Sequence, residues 1–161
     1  MKRCKVKETH ENSVLEAFKN LSEFNGNTVK ILSKPEPPDA IIAINNKDVW
    51  VEITDAFITP EHATSLTSSA AKDKEWIKSP KKSINIDNFY EILKSVILKK
   101  YTKKSIKKIY LERGAGILIV GYFSPFHYPV HENMEELTNI IKNIYSLNDR
   151  IFKEIYLYDY V

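Results

Sequence analysis

The chain has 161 residues, of which 43% are hydrophobic and 28% are charged, and this balance excludes disordered and fibrous proteins. The length suits a single domain over residues 1–161, and the longest apolar run, residues 115–123, is far shorter than the roughly 18 residues of a membrane span. The single cysteine, Cys4, excludes an internal disulfide, and the charged start MKRCKVKETH lacks the apolar region of a signal peptide. We therefore expect a cytoplasmic protein without a membrane partner.

The net charge of +3 is unevenly distributed along the chain. Seven of the 24 Lys and Arg residues, and no acidic residue, lie within residues 94–108, so the rest of the chain carries 17 basic against 21 acidic residues. A basic segment on an acidic body suits a polyanionic partner such as nucleic acid. A lysine-rich helix face that is simply exposed to water has the same composition.

The first predicted element is a helix with Thr9 as its N-cap. Its apolar stripe has the three- and four-residue spacing of a packed helix face and consists of Val14, Leu15, Phe18 and Leu21. Glu11 lies on the same face, whereas Glu16 points away. A short strand over residues 28–32 follows, and the prolines of SKPEPP then keep the backbone extended up to Asp39.

Two strands, residues 39–44 and 49–54, are predicted to form a hairpin with a turn at 45–48. The expected cross-strand partners are Ala43 with Trp50, Ile41 with Glu52 and Asp39 with Thr54. Side chains alternate between faces, so one face is wholly apolar and the other holds Asp39 diagonal to Glu52, about 7 Å apart. Two carboxylates this close favour a divalent cation with oxygen ligands. The alternative is the water-exposed face of a half-buried sheet.

The rest of the chain alternates helices and strands. Residues 59–85 are small, polar and poorly periodic, which predicts a mobile loop or a frayed short helix. A long helix begins at Asp87, with an interruption near Tyr101, and runs towards Gly114. A buried strand at 115–123, a helix at 132–145 and a strand at 154–160 complete the order αβββαβ followed by αβ. This order predicts an α/β fold with a mixed central sheet flanked by helices.

Pro38-Asp39, a spacer of a dozen residues and then Glu52-Ile53-Thr54 at the end of an apolar strand resemble the motif of the PD-(D/E)XK nuclease superfamily. The αβββαβ order is similar to the restriction-endonuclease-like core of that family. The resemblance implies that Asp39 and Glu52 bind Mg²⁺, with Mn²⁺ as a substitute, and that the protein hydrolyses DNA phosphodiester bonds. It also implies a third metal ligand from the first helix, for which Glu11 is suited. The alternative role for Glu11 is a first-turn acid favoured by the helix dipole.

The motif departs from the family at Thr54, which occupies the position of the catalytic lysine. Threonine can hydrogen-bond a water molecule and so orient it, but it carries no positive charge. Lys100 is the expected substitute because it lies on the apolar face of the long helix; Lys104 and Lys99 are the next candidates. The alternative for Lys100 is a lysine that extends along the core to reach water. The other lysines are expected to bind the nucleic-acid backbone: Lys94, Lys99, Lys103, Lys104, Lys107 and Lys108.

The change at Thr54 keeps a second function open, in which the fold is a non-catalytic nucleic-acid-binding or protein-interaction module. An unrelated α/β interaction domain is a third interpretation. The small size of the chain also suits a homodimer or a subunit of a larger defence or mobile-element system.

Overall fold

The computed structural model describes residues 2–57, 60–71, 75–78, 86–123 and 134–159. The helices are α1 (Arg3–Phe24), α2 (Pro60–Ala70), α3 (Ile86–Thr102), α4 (Lys104–Arg113) and α5 (Met134–Leu147). The strands are β1 (Val29–Ser33), β2 (Ala40–Ile44), β3 (Lys47–Phe57), β4 (Gly116–Phe123) and β5 (Phe152–Asp159). Among these helices, none has the length and apolar character needed to cross a membrane.

The five strands form one open sheet in the order β1-β2-β3-β4-β5. The pairs β1–β2 and β2–β3 are antiparallel, whereas the pairs β3–β4 and β4–β5 are parallel. The predicted α/β class with a mixed sheet is therefore confirmed. The predicted long helix is divided at Lys103 into α3 and α4, close to the expected interruption at Tyr101.

One face of the sheet is covered by α1. The contacts are made by buried apolar residues of the helix, Val14, Leu15 and Phe18, and of the hairpin, Ala40, Ile42, Val49, Val51 and Ile53. Two details of the α1 prediction are wrong. The helix begins at Arg3 and not after Thr9, because the preceding residues contain no proline or glycine to stop it. Leu21, expected in the stripe, is 51% exposed, whereas the next residue, Ser22, is 8% exposed, so the buried face of α1 passes through Ser22 at this turn.

The opposite face of the sheet is covered by α3, α4 and α5. Trp50 of β3 belongs to a buried cluster whose helical members are Leu93, Ile97, Tyr101, Ile106, Ile109, Leu137 and Ile144. Away from its turn the hairpin is thus buried on both faces, and because Trp50 and Glu52 are each 1% exposed, the alternative of a half-exposed sheet with a wet face is wrong. Polar side chains on this face lie inside the protein, where each needs a partner.

The hairpin register differs from the prediction by two residues. Asn45 and Asn46 have positive φ angles of 49° and 63°, which gives a two-residue turn instead of the expected four-residue turn. Ile41 therefore pairs with Trp50, and Ala40 pairs with Val51. A shift of two residues leaves every side chain on its predicted face. Continued by one residue beyond the end of β2, the observed register sets Asp39 against Glu52 and not against Thr54.

The segment expected to be a mobile loop or a frayed short helix contains α2. Residues 60–70 are helical, and the backbone N–H of Ile77 donates to the Ser68 hydroxyl at 3.0 Å, which ties residues 75–78 to this helix. The remaining residues of the segment, 59, 72–74 and 79–85, lie outside the described residues.

Candidate active site

Glu52 lies at the centre of a buried ionic cluster. It is on β3, the middle strand of the sheet, and its side chain is only 1% exposed. Its Oε1 accepts hydrogen bonds from Lys100 Nζ at 2.7 Å and from Lys103 Nζ at 3.1 Å. Its Oε2 is equally buried but receives no hydrogen bond from any described residue. A buried carboxylate oxygen without a partner is costly in free energy, so this atom is suited to an additional ligand.

Lys100 reaches Glu52 because it lies on the packed face of α3, one turn after Val96. Its side chain is 17% exposed, and its Nζ also donates to the backbone carbonyl of Ile53 at 3.2 Å. The amino group is therefore held inside the protein by two acceptors. The alternative of a lysine that extends to bulk water does not describe this geometry. The structure brings the expected substitute lysine to the second acid of the motif.

Asp39 is held beside Glu52 by the backbone of β3. Its Oδ2 accepts a hydrogen bond from the Ile53 N–H at 2.7 Å. Burial raises the pKa of Asp39 from 3.8 to about 6, and the nearby charge of Glu52 adds to the increase. The Ile53 N–H and the charge of Lys100 only partly offset these effects. The repulsion between the charges of Asp39 and Glu52 is thus only partly compensated by the positive charge of Lys100.

Glu11 and Glu36 complete an acidic cluster with Asp39. One carboxylate oxygen from each of the three residues lies within 4.8 Å of the others. Lys7, one turn before Glu11 on α1, forms ion pairs with Glu11 at 3.4 Å and with Glu36. The hydrogen bond to Glu36 is the main reason why the pKa of Lys7 rises to about 12.

Sequence reasoning did not identify Glu36 as a site residue. It lies between Pro35 and Pro37 in an irregular segment, where no helical or strand periodicity indicates the direction of its side chain. Its spacing of three residues from Asp39 was the only signal available. The pKa of Glu36 is lowered, first by the hydrogen bond from Lys7 and to a smaller extent by the charge of Lys103. Lys103 is thus close enough to act on both Glu52 and Glu36.

A histidine and an aspartate, also not predicted, lie within hydrogen-bonding distance of each other between α1 and β3. His10 Nε2 lies 3.0 Å from Asp55 Oδ2 and 3.1 Å from Oδ1. His10 is adjacent to Glu11 in sequence, and Asp55 follows Glu52 by three residues. By strand alternation, Asp55 faces α1 and Glu52 faces α3, so the pair helps to attach α1 to the sheet.

The remaining predicted site residues are Thr54 of β3 and the lysines of α3 and α4 expected to bind nucleic acid. Thr54 is half-buried and shares the face of Glu52, two residues further along β3. Lys103, expected only to bind nucleic acid, instead contacts Glu52. The other predicted nucleic-acid-binding lysines are on α3 and α4; Lys94 is half-buried, and Lys99, Lys104, Lys107 and Lys108 are exposed. Of these, Lys108 forms an ion pair with Glu112 at 3.8 Å.

The donor set fits a hard divalent cation. Carboxylate oxygens, including one that is buried and unpartnered, are the ligands that Mg²⁺ and Mn²⁺ take, whereas softer ions prefer sulfur or imidazole. Among the described residues, Glu11, Glu36 and Asp39 are the acids whose oxygens lie close enough together to hold such an ion. Glu52 acts on Asp39 through its charge but is not a member of that group. Comparisons of the chain with protein-family models, curated proteins and solved structures find no match.

Proposed function

We propose that the protein is a Mg²⁺-dependent nuclease of the PD-(D/E)XK type, with a restriction-endonuclease-like core, that hydrolyses DNA phosphodiester bonds. The observation that carries the proposal is the environment of Glu52. This acid is 1% exposed, has Lys100 Nζ at 2.7 Å and lies near Asp39. Its second oxygen is buried and has no hydrogen-bond partner within the part of the chain that the structure describes. An acid pair and a lysine in one place are the parts that the motif of that family requires.

Asp39, Glu52 and Glu11 would hold the ion, and Glu36 adds a further carboxylate to this set. When bound, a divalent cation supplies Lewis-acid activation of water and neutralises charge on the phosphate. The ionised form of Asp39 is the form that binds a cation. A bound cation would therefore lower the pKa of Asp39 from its raised value of about 6.

Lys100 and Thr54 would supply the remaining chemistry. Lys100 Nζ is fixed by Glu52 and by the Ile53 carbonyl, so it presents a positive charge at a defined position next to the acids. Such a charge stabilises the negative charge that develops on phosphate oxygens, and a fixed N–H also orients a water molecule. The Thr54 hydroxyl can accept or donate a hydrogen bond to that water but cannot replace the charge.

DNA would bind along the lysines of α3 and α4. Their exposed ammonium groups are not sequence-selective, because contacts to phosphates fix position and carry no base information. The affinity of the protein for DNA should therefore fall steeply as the salt concentration rises.

Cleavage of a labelled DNA duplex with and without Mg²⁺ tests the proposal. Asp39→Asn, Glu52→Gln and Lys100→Met should each abolish Mg²⁺-dependent cleavage, because each removes a part of the site. Asp48→Asn is the matched control, since Asp48 is an exposed acid on the same hairpin, and it should cleave like the wild type. Wild-type activity retained in Asp39→Asn or Glu52→Gln would show that the nuclease assignment is wrong.

One observation favours the second candidate, a non-catalytic nucleic-acid-binding module of the same fold. Lys100 and Lys103 together already neutralise Glu52, and Thr54 replaces the motif lysine. A module of this kind would bind DNA in a salt-dependent manner, but neither Mg²⁺ nor Mn²⁺ would bind, with or without DNA. Titration calorimetry with both metals distinguishes the two candidates.

A further inference from the structure

Three ammonium groups form ion pairs with three of the four carboxylates of the candidate site, those of Glu11, Glu36 and Glu52. Lys7 is paired with Glu11 and Glu36. Lys100 and Lys103 are paired with Glu52. With all groups ionised, these side chains carry a net charge of one negative unit. A divalent cation alone would therefore enter a site whose acids are already largely neutralised, and would leave it with one positive unit.

Lys100 and Lys103 contact the same oxygen but are held differently. Lys100 is 17% exposed and has two acceptors, Glu52 Oε1 and the Ile53 carbonyl. Lys103 is 47% exposed, and its hydrogen bond to Glu52 at 3.1 Å is the one recorded for its Nζ among the described residues. It lies at the junction of α3 and α4, where the helix is interrupted. Lys103 can therefore leave Glu52 without breaking a second contact, whereas Lys100 is fixed.

Lys7 is the corresponding group on the other side of the acids. Its side chain is 61% exposed, and it bridges Glu11 and Glu36. These two residues and Asp39 bring their oxygens within 4.8 Å of one another. A metal ion at these oxygens and the ammonium group of Lys7 would compete for the same acceptors. Because a long exposed lysine side chain is flexible, it can move to another anion at small cost.

We propose that Lys7 and Lys103 are displaceable counter-cations that couple metal binding to phosphate binding at this site. Without ligands they neutralise the acids. When a divalent cation binds the acids, the two ammonium groups transfer to a phosphate of the nucleic acid, whose negative charge restores neutrality. Metal and phosphodiester therefore bind with positive linkage, each increasing the affinity of the other by the same factor. This inference rests on the proposed metal site of Asp39 and Glu52.

Titration calorimetry with Mn²⁺ tests the linkage, alone and in the presence of a short DNA duplex with phosphorothioate linkages that resist hydrolysis. Mn²⁺ binding to the duplex alone is subtracted. Wild-type protein should bind Mn²⁺ at least about tenfold more tightly with the duplex than without it, since a coupling of this size is usual for linked sites. Lys7→Met and Lys103→Met should each bind Mn²⁺ alone about tenfold more tightly than wild type, and each should reduce the enhancement by the duplex.

Two control variants separate the loss of a particular cation from a general loss of charge or structure. Lys103→Arg keeps the positive charge and should keep the enhancement. Lys142→Met removes an exposed lysine of α5 and should behave like the wild type in both titrations. Thermal unfolding of each variant checks that it is folded, which is expected because Lys7 and Lys103 are both substantially exposed.

The outcomes distinguish failure of this inference from failure of the proposed function. If wild type binds Mn²⁺ equally well with and without duplex, and the methionine variants do not bind it more tightly, the inference is wrong and the metal site stands. If no variant binds Mn²⁺ under either condition, the proposed metal site and the inference are both overturned. Tighter binding of Mn²⁺ alone in Lys142→Met as well would show a non-specific charge effect and would also overturn the inference.

Discussion

Asp39→Asn is the substitution that most directly tests the electrostatics of the acid pair. The asparagine side chain keeps an oxygen that can accept the Ile53 N–H, which lies 2.7 Å from Asp39 Oδ2. It removes a charge that burial and Glu52 both disfavour. We therefore expect the metal-free variant to be more stable than wild type at neutral pH, although it loses a ligand of the proposed metal site.

The sign and size of the effect follow from the pKa of Asp39. Because the pKa rises from 3.8 to about 6 on folding, the folded protein binds more protons than the unfolded chain between these values. Its stability therefore decreases as the pH rises through that window. A shift of about two units corresponds to about 3 kcal/mol. Asp39→Asn should gain up to this amount over wild type near pH 7, and the gain should vanish near pH 4, where Asp39 is protonated.

Urea unfolding followed by tryptophan fluorescence, at a series of pH values from about 4 to 7.5, measures this difference. The difference between the free energies of unfolding of wild type and Asp39→Asn cancels the contributions of the ionisable groups that both proteins contain. Asp48→Asn, on the exposed part of the same hairpin, is the control and should show little pH-dependent difference. Saturating Mg²⁺ should stabilise wild type but not Asp39→Asn. A difference that is independent of pH, or a variant less stable than wild type at pH 7, would refute the reasoning.

Three further substitutions test the ionic cluster, the packing of the core and the basic surface. Lys100→Met leaves the Glu52 carboxylate buried with its charge only partly compensated, so urea unfolding should show a loss of about 3 kcal/mol; an unchanged stability would contradict the burial of this ion pair. Gly116→Ala would place a Cβ 2.3 Å from Trp50 Cε2. Urea unfolding should therefore show a loss of stability of about 1–3 kcal/mol from overpacking. An unchanged stability would mean that the indole ring moves freely. Lys107→Gln removes an exposed charge from α4 and should reduce the slope of log affinity for DNA against log salt concentration by about 1, at every DNA sequence tested. A slope equal to that of wild type would exclude Lys107 from contact with phosphate.

The faces of the hairpin could be predicted from the sequence, but its register could not. Alternation in the two strands assigns each side chain to a face, and this assignment survives a slip of two residues. The register depends on the turn, and the sequence does not show that Asn45 and Asn46 both take positive φ angles. The predicted diagonal relation of Asp39 and Glu52 was therefore wrong in detail, while their common neighbourhood was correct.

The two halves of the candidate site differ in how far local periodicity could locate them. Lys100 could be placed because a helix turns by about 100° per residue, and the apolar residues of α3 fix which side faces the sheet. A shift of one residue would have turned Lys100 away from Glu52, so the contact at 2.7 Å depends on that stripe. Glu36 and Lys7 had no such reference, because one lies in a proline-rich segment and the other on an exposed part of α1. Their meeting depends on how α1 lies against the chain before β2, which is a property of the tertiary fold. Of the two proposed counter-cations, Lys7 is therefore the one that sequence patterns locate less well, since exposed side chains contribute nothing to the periodicity of a core.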